Sequence, residues 1–260
     1  EDFDISKSLG HNVYRFSIEW SRIEPEEGKF NEEEIKHYRQ MILALRRRGI
    51  EPFVTLWHFT NPLWLPKWSS KKVVRYFVRY TEKIVGALKD EVKFWITLNE
   101  SEIYSAGAHI KILWPPIGRN FSAYFLAINN LIKAHREAYK RIKEIQPDSW
   151  VGVATNNVYF DTYKNRLVEK FFKRIADWWV NFFFLDKIID CQDFIGLNYY
   201  FHSRIKGFKF NQNENKEVSD LGWEIYPEGI YYALKDLKKY QKPIYITENG
   251  LADAKDSRRT

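Results

Sequence analysis

Six short β-rich runs recur along this chain, and an amphipathic segment fills each gap between them. The runs are Asn12 to Ile18 (NVYRFSI), Glu51 to Trp57 (EPFVTLW), Val92 to Leu98 (VKFWITL), Trp150 to Thr155 (WVGVAT), Asp193 to Asn198 (DFIGLN) and Pro243 to Thr247 (PIYIT). Their starts lie roughly 40 to 60 residues apart, a rhythm that predicts βα units and a parallel sheet. The first helix is the best marked. Asn31 with Glu34 makes a capping-box-like start, Ile35, Tyr38, Ile42 and Leu45 keep one apolar face, and Gly49 follows as a stop. Further helices are expected along Val73, Phe77, Tyr80 and Ile84, along Ile128, Leu131, Ile132, His135 and Tyr139, across DWWVNFFFLD, and from Pro227 through Leu234 and Leu237.

So many βα units leave two α/β architectures, a doubly wound open sheet or a (β/α)8 TIM barrel. The open sheet wants a glycine-rich loop after a strand, and the first strand here is followed by EWSRIEP, with no GxGxxG or GxxxxGK[ST] anywhere. Polar and ionisable residues gather instead at the carboxyl ends of the strands, where a barrel builds its active site. No low-complexity linker or shift of composition divides the chain, so residues 1–260 are expected to form a single barrel domain.

Composition narrows the function classes. An apolar content of 45%, with 17% aromatic residues, belongs to a globular core rather than a disordered chain. The formal charge of +7 is spread along helices and interleaved with acids, which reads as solvated helix faces and not as a nucleic-acid surface. Cys191 is the only cysteine, so no disulfide forms within the chain, and with no signal-like apolar start a cytoplasmic location is expected. The longest apolar run is interrupted by Asn181, Asp186 and Lys187 and falls short of the ~20 residues of a membrane span, so no membrane partner is expected. The six histidines show no metal-ligand spacing, and no metal or cofactor is expected.

In order, the strand ends carry Trp57-His58, Asn99-Glu100, Asn156-Asn157, Asn198-Tyr199-Tyr200 and Glu248-Asn249. Taken singly, each has an ordinary structural reading as a turn, a cap or a solvated acid. The pair Glu100 and Glu248 is harder to explain that way, because both end otherwise apolar strands. Two carboxylates across one pocket are the equipment for glycosidic bond cleavage. One attacks the anomeric carbon; the other protonates the leaving oxygen and then deprotonates a water. The charge on one raises the pKa of the other and keeps it protonated near neutral pH.

FWITLNES resembles the acid/base motif of glycoside hydrolase family 1, the β-glucosidase and β-galactosidase family, and IYITENG resembles its nucleophile motif. YRFSIEWSRIEP, TLWHFTNPLWL, the PPIGR loop, LIKAHREAYK, DFIGLNYY and GWEIYPEGIYYAL follow in the family's order. The resemblance implies a (β/α)8 barrel and a retaining β-glycosidase acting on β-glucosides or β-galactosides through a covalent glycosyl-enzyme, without a cofactor. It implies Glu248 as nucleophile, Glu100 as general acid/base, Asn99 on the sugar 2-hydroxyl and His58 on a glycone hydroxyl. Arg15 and Tyr200 would contact Glu248 and hold it ionised and oriented, and Asn198 would complete the substrate-binding set.

Several positions depart from the family pattern. The family's first strand and its last strand, with its WSLxDNxEW-like motif, have no counterpart, so six of eight strands are expected, and self-association or a complementing segment is expected to close the barrel. The same departures support an alternative reading as a catalytically impaired carbohydrate-binding or scaffold protein. Ser101 stands where a proline usually follows the acid/base glutamate, and Glu102 brings a second acid beside Glu100. Trp57 precedes the histidine where the family has a smaller or polar residue. Trp57, Trp114 and Trp223 are candidates for flat sugar-facing surfaces, while Trp178 and Trp179 sit at helix-core spacing and are expected to pack.

Overall fold

The computed structural model describes residues 1–111, 113–116 and 118–257; Ile117 of the PPIGR loop and the end of the DSRRT segment lie outside the described residues. The chain folds as two compact units, the first made of Glu1–Ala154 and Asp190–Phe194. Strands β1 (Val13–Ser17), β2 (Glu51–Trp57), β3 (Phe94–Asn99) and β4 (Trp150–Asn156) pair in parallel in that order, with helix α1 (Asp2–Ser8) before them and helices α2 (Trp20–Ile23), α3 (Glu32–Arg47), α4 (Lys72–Leu88), α5 (Ser101–His109) and α6 (Phe121–Ile145) between them.

The expected local grammar is present. Asn31 caps α3, its Oδ1 accepting the N–H groups of Glu33 and Glu34 at 3.1 and 3.2 Å. The helix stops before Gly49, whose φ of +68° favours a residue without a Cβ. Phe53, Phe94 and Trp150 are register partners on three neighbouring strands, and their rings form a ladder with centroids 4.3 and 6.0 Å apart. The next residues, Val54, Trp95 and Val151, turn to the opposite face and are fully buried. There Trp95 Nε1 donates to Gln146 Oε1 beyond the end of α6, at 3.0 Å.

Two polar groups are sealed into this core. His135 on α6 lies between Thr97 Oγ1 and the Cys191 carbonyl, each 2.7 Å away, and burial drives its pKa down to about 4. Since a carbonyl only accepts, Nε2 carries the proton and the imidazole is neutral. Glu24, with no exposed surface, accepts from Trp20 Nε1 at 3.0 Å, from the Gly28 N–H at 2.7 Å and from Arg79 Nη2. Arg79→Met therefore leaves a buried carboxylate with neutral donors only. Urea unfolding is expected to show a loss of about 3 kcal/mol, the usual cost of stripping one partner from a buried ion pair. A loss under about 0.5 kcal/mol, typical of surface changes, would refute this reading of the pair.

The second unit comprises Thr155–Ile189 and Ile195–Thr260. Strand β5 (Tyr159–Thr162) pairs in parallel with β7 (His202–Ile205), and β6 (Phe194–Tyr199) pairs in parallel with β8 (Ile244–Asn249); the helices are α7 (Leu167–Ala176), α8 (Phe183–Asp186) and α9 (Gly229–Leu237). The expected DWWVNFFFLD helix is present, but a π-helical stretch over Asp177–Phe182 joins α7 to α8. Its wider turn breaks the 3.6-residue phase, and Trp178, expected to pack, is 49% exposed. Gly229 opens α9 at a place where a side chain does not fit. The Tyr199 hydroxyl donates to the Tyr226 carbonyl at 2.7 Å, and a Cβ at Gly229 would lie 1.7 Å from that hydroxyl. Strand β8 is less buried than its apolar sequence suggests, with Ile246 52% exposed. Among the described residues, no helix is long and apolar enough to cross a membrane.

Candidate active site

In the first unit, the middle of β1 and the carboxyl ends of β2 and β3 bring Arg15, His58 and Asn99 into one hydrogen-bonded chain. Arg15 Nε donates to Thr55 Oγ1 at 3.1 Å, and its Nη2 donates to Asn99 Oδ1 at 2.6 Å. Because guanidinium only donates, this contact orients the Asn99 amide, whose Nδ2 then lies 3.1 Å from His58 Nε2 and donates to it. That leaves the ring proton on His58 Nδ1, 3.3 Å from Ser17 Oγ. Of four sequence-predicted positions on these neighbouring strands, His58, Asn99 and Glu100 lie at strand ends and Arg15 reaches Asn99 from the middle of β1.

Glu100 sits on a strained turn. It follows β3 directly and caps α5 with φ +43° and ψ +55°, a left-handed conformation that is uncommon for a residue with a Cβ. Its N–H is held by the Ala154 carbonyl at 2.7 Å, and its own carbonyl accepts from Tyr104 at 3.0 Å. The β3–β4 register slips between Ile96 and Asn99, placing an extra residue on β3 two or three positions before the acid. Such irregularities re-aim side chains beside active sites. Ser101 is the first helical residue of α5, the position where proline is also well tolerated, so its departure from the family pattern leaves the helix start intact. Glu102, one residue further, is buried in the first turn. Desolvation, with a smaller contribution from the negative charge of Glu100, pushes its pKa up to about 8.

In the second unit, Glu248 ends β8 opposite Asn198 on β6, and here too the register slips, with Thr247 as the extra residue on the strand that carries the acid. Tyr200 donates from its hydroxyl to Glu248 Oε2 at 2.7 Å. Asn198 is fully buried, its Oδ1 accepting from Thr247 Oγ1 at 2.6 Å. Asn249 Nδ2 donates to the Tyr199 carbonyl at 2.6 Å and closes the end of the strand. The three predicted residues of this unit, Asn198, Tyr200 and Glu248, are therefore neighbours.

Each unit also has its own cavity. One of about 1120 Å³ in the first unit is walled by His58, Phe59, Tyr104 and Trp114, with Glu19 and Thr60 at its polar side. Glu19 accepts from Thr60 Oγ1 at 2.7 Å and from Ser21 Oγ at 2.8 Å. Asn61 binds the indole N–H groups of Trp57 and Trp68 at 2.9 and 3.1 Å. Sequence reasoning missed Glu19, Thr60 and Asn61; their one signal was position, just past the ends of β1 and β2. Trp57 is 1% exposed, so it supports the cavity wall from behind and offers no face to a ligand. In the second unit a cavity of about 500 Å³ is bounded by Tyr200, Trp223 and Asn249, so Trp223 keeps its candidacy as a flat surface.

With that geometry in hand, comparison with known proteins is direct. The model of glycosyl hydrolase family 1 matches residues 1–192 and 184–259. The chain belongs to glycosyl hydrolase family 1. Beta-glucosidase A of Thermotoga maritima is 32% identical over 296 residues, covering 97% of this chain and 66% of that protein, so the chain spans just under two thirds of its length. A 1,4-beta-D-glucan glucohydrolase of Thermotoga neapolitana is 31% identical over 97% of this chain and 69% of its own length. A solved structure, the beta-glucosidase from Thermotoga maritima in complex with deoxynojirimycin, superposes with a TM-score of 0.89 at 31% identity, covering 96% of this chain and 66% of that one. The fold is therefore that of the family-1 (β/α)8 barrel, and the described residues supply six parallel strands of it, β1, β2, β3, β4, β6 and β8.

Proposed function

We propose that this chain carries the catalytic pair of a retaining β-glycosidase acting on β-glucosides or β-galactosides. The observation that carries the reading is the matched construction of the two acids. Glu100 directly follows one parallel strand, Glu248 is the next-to-last residue of another, and each comes after a register slip on its own strand. Glu248 attacks the anomeric carbon while Glu100 protonates the departing glycosidic oxygen. Glu100 then takes a proton from the water that hydrolyses the covalent glycosyl-enzyme, which restores both carboxyl groups. Tyr200 positions the nucleophile through its 2.7 Å hydrogen bond, and Arg15 sets the orientation of Asn99 for the sugar 2-hydroxyl. A hydrogen bond there strengthens as the oxocarbenium-like transition state forms. The aromatic walls of the first unit's cavity, beside His58, suit the apolar faces of sugar rings.

Incubation with a 2-deoxy-2-fluoro-β-glucoside bearing a good leaving group tests this reading. The fluorine slows both steps, the leaving group rescues only the first, and the glycosyl-enzyme accumulates. Peptide mass mapping is expected to place the added mass on Glu248. Label on another residue would refute the assignment, and glucoside binding without label or turnover would select the carbohydrate-binding alternative.

A further inference from the structure

Helix α7 has two apolar faces, and one of them already has its core. Phe172 and Ala176 pack against Val158, Phe160 and Ile205 beside the β5–β7 ribbon. The opposite face carries Leu167, Phe171 and Ile175, four residues apart, with exposures of 86, 59 and 45%, and the π-helical stretch that follows adds Trp178, 49% exposed. Helical spacing thus lines up a stripe of large apolar side chains toward solvent. The turn after β7 extends it with Phe208, 70% exposed. That turn is fastened to the start of α7, since the Gly207 N–H donates to Glu169 Oε1 at 3.2 Å and Lys206 lies over the Tyr163 ring at 4.7 Å.

The charges around this stripe are of one sign. Lys164, Arg166, Lys170, Arg174, Lys206 and Lys209 are all exposed on the same segments. The two acids on α7 and the turn that follows it are committed elsewhere. Glu169 is buried and accepts the backbone N–H groups of Lys164, Arg166 and Gly207, and Asp177 accepts from Lys173. A second copy docked on this stripe would bring cations against cations. A surface that is apolar within and anionic at its rim satisfies both features, and a bilayer containing anionic phospholipid has that layout.

We propose that α7 and the turn at residues 206–210 form a peripheral docking surface for an anionic phospholipid bilayer. The helix lies in the plane of the interface, with Leu167, Phe171, Ile175, Trp178 and Phe208 at the boundary of headgroups and acyl chains and the lysines and arginines among the headgroups. This is attachment to one leaflet, which requires no membrane-spanning helix. None of these residues belongs to the proposed active site, so the outcome is independent of the catalytic assignment.

Co-sedimentation of the full chain with vesicles tests it. Vesicles of phosphatidylglycerol mixed with phosphatidylcholine are expected to bind the chain at least about ten-fold more tightly than phosphatidylcholine alone, and added salt is expected to reduce the binding. The double variant Phe171→Glu/Phe208→Glu is expected to lose binding by a similar factor. So is Lys170→Glu/Arg174→Glu, which keeps the apolar stripe and separates charge from hydrophobicity. Circular dichroism of each variant confirms that the fold persists, since all four positions are exposed. Equal binding to both vesicle types, or variants that bind like the parent, would overturn the proposal. So would a concentration-dependent dimer in sedimentation velocity that Phe171→Glu abolishes, because it would assign the stripe to a second copy.

Discussion

If Glu248 is the proposed nucleophile, Glu248→Gly is expected to reduce kcat for an aryl β-glucoside by more than about 10³-fold, because glycine cannot form the covalent intermediate. Glu100→Gln has a different signature. Loss of general acid catalysis costs roughly 10²–10⁴-fold on a glucoside whose leaving group needs a proton. With an activated dinitrophenolate leaving group the first step no longer needs that proton, so the deficit shrinks at glycosylation and persists at deglycosylation, where water must still be deprotonated. A burst of phenolate followed by slow turnover is the expected trace. The two variants are thus told apart by leaving-group dependence, which a general loss of folding would not produce. Glu248 is partly exposed on β8, so Glu248→Gly is expected to shift stability by about 1 kcal/mol or less. Full activity surviving either substitution removes that residue from its role.

The strands and helices that place these acids were legible because they obey simple periodicities. Parallel strands read as apolar runs, and α3 announces itself with Asn31, its apolar stripe and Gly49. What escaped the sequence lies where local pattern carries little information. Strands β5 and β7, four residues each, are too short for alternation to be distinguished from a loop. The π-helical turn over Asp177–Phe182 changes the repeat within one helix, so a 3.6-residue reading assigns Trp178 to the wrong face. Burial of Trp57 depends on Asn61, Trp68 and Tyr104 meeting it from other segments, which spacing along the chain does not encode. The acids were visible as residue types at strand ends. The register slips that aim them are backbone events with no residue signature, and the left-handed turn at Glu100 uses a residue that does not ordinarily adopt it.

Glu102→Gln is expected to stabilise the fold, and increasingly so as pH rises. Glu102 is buried, its Oε1 has no hydrogen-bond partner among the described residues, and its pKa stands at about 8 against an ordinary 4.5. Between those values the unfolded chain releases this proton while the folded chain keeps it, so the folded state binds more protons and stability falls with rising pH. The penalty is absent below pH 4.5, grows across the window from 4.5 to 8, and levels off above it. At 1.36 kcal/mol per pKa unit, the shift amounts to roughly 5 kcal/mol at pH 9, which glutamine, uncharged at every pH, does not incur. Urea unfolding of both proteins at pH 5, 7 and 9 is expected to give curves that nearly coincide in acid and separate progressively in base; a constant difference would refute the assignment. The consequence reaches the chemistry. Near pH 7 a protonated Glu102 adds no charge beside Glu100, so the second acid that looked like a perturbant in the sequence is silent under those conditions. Above pH 8 its ionisation places a negative charge next to the proposed acid/base, and Glu102→Gln is expected to alter the alkaline limb of the kcat/KM profile while leaving the acid limb in place.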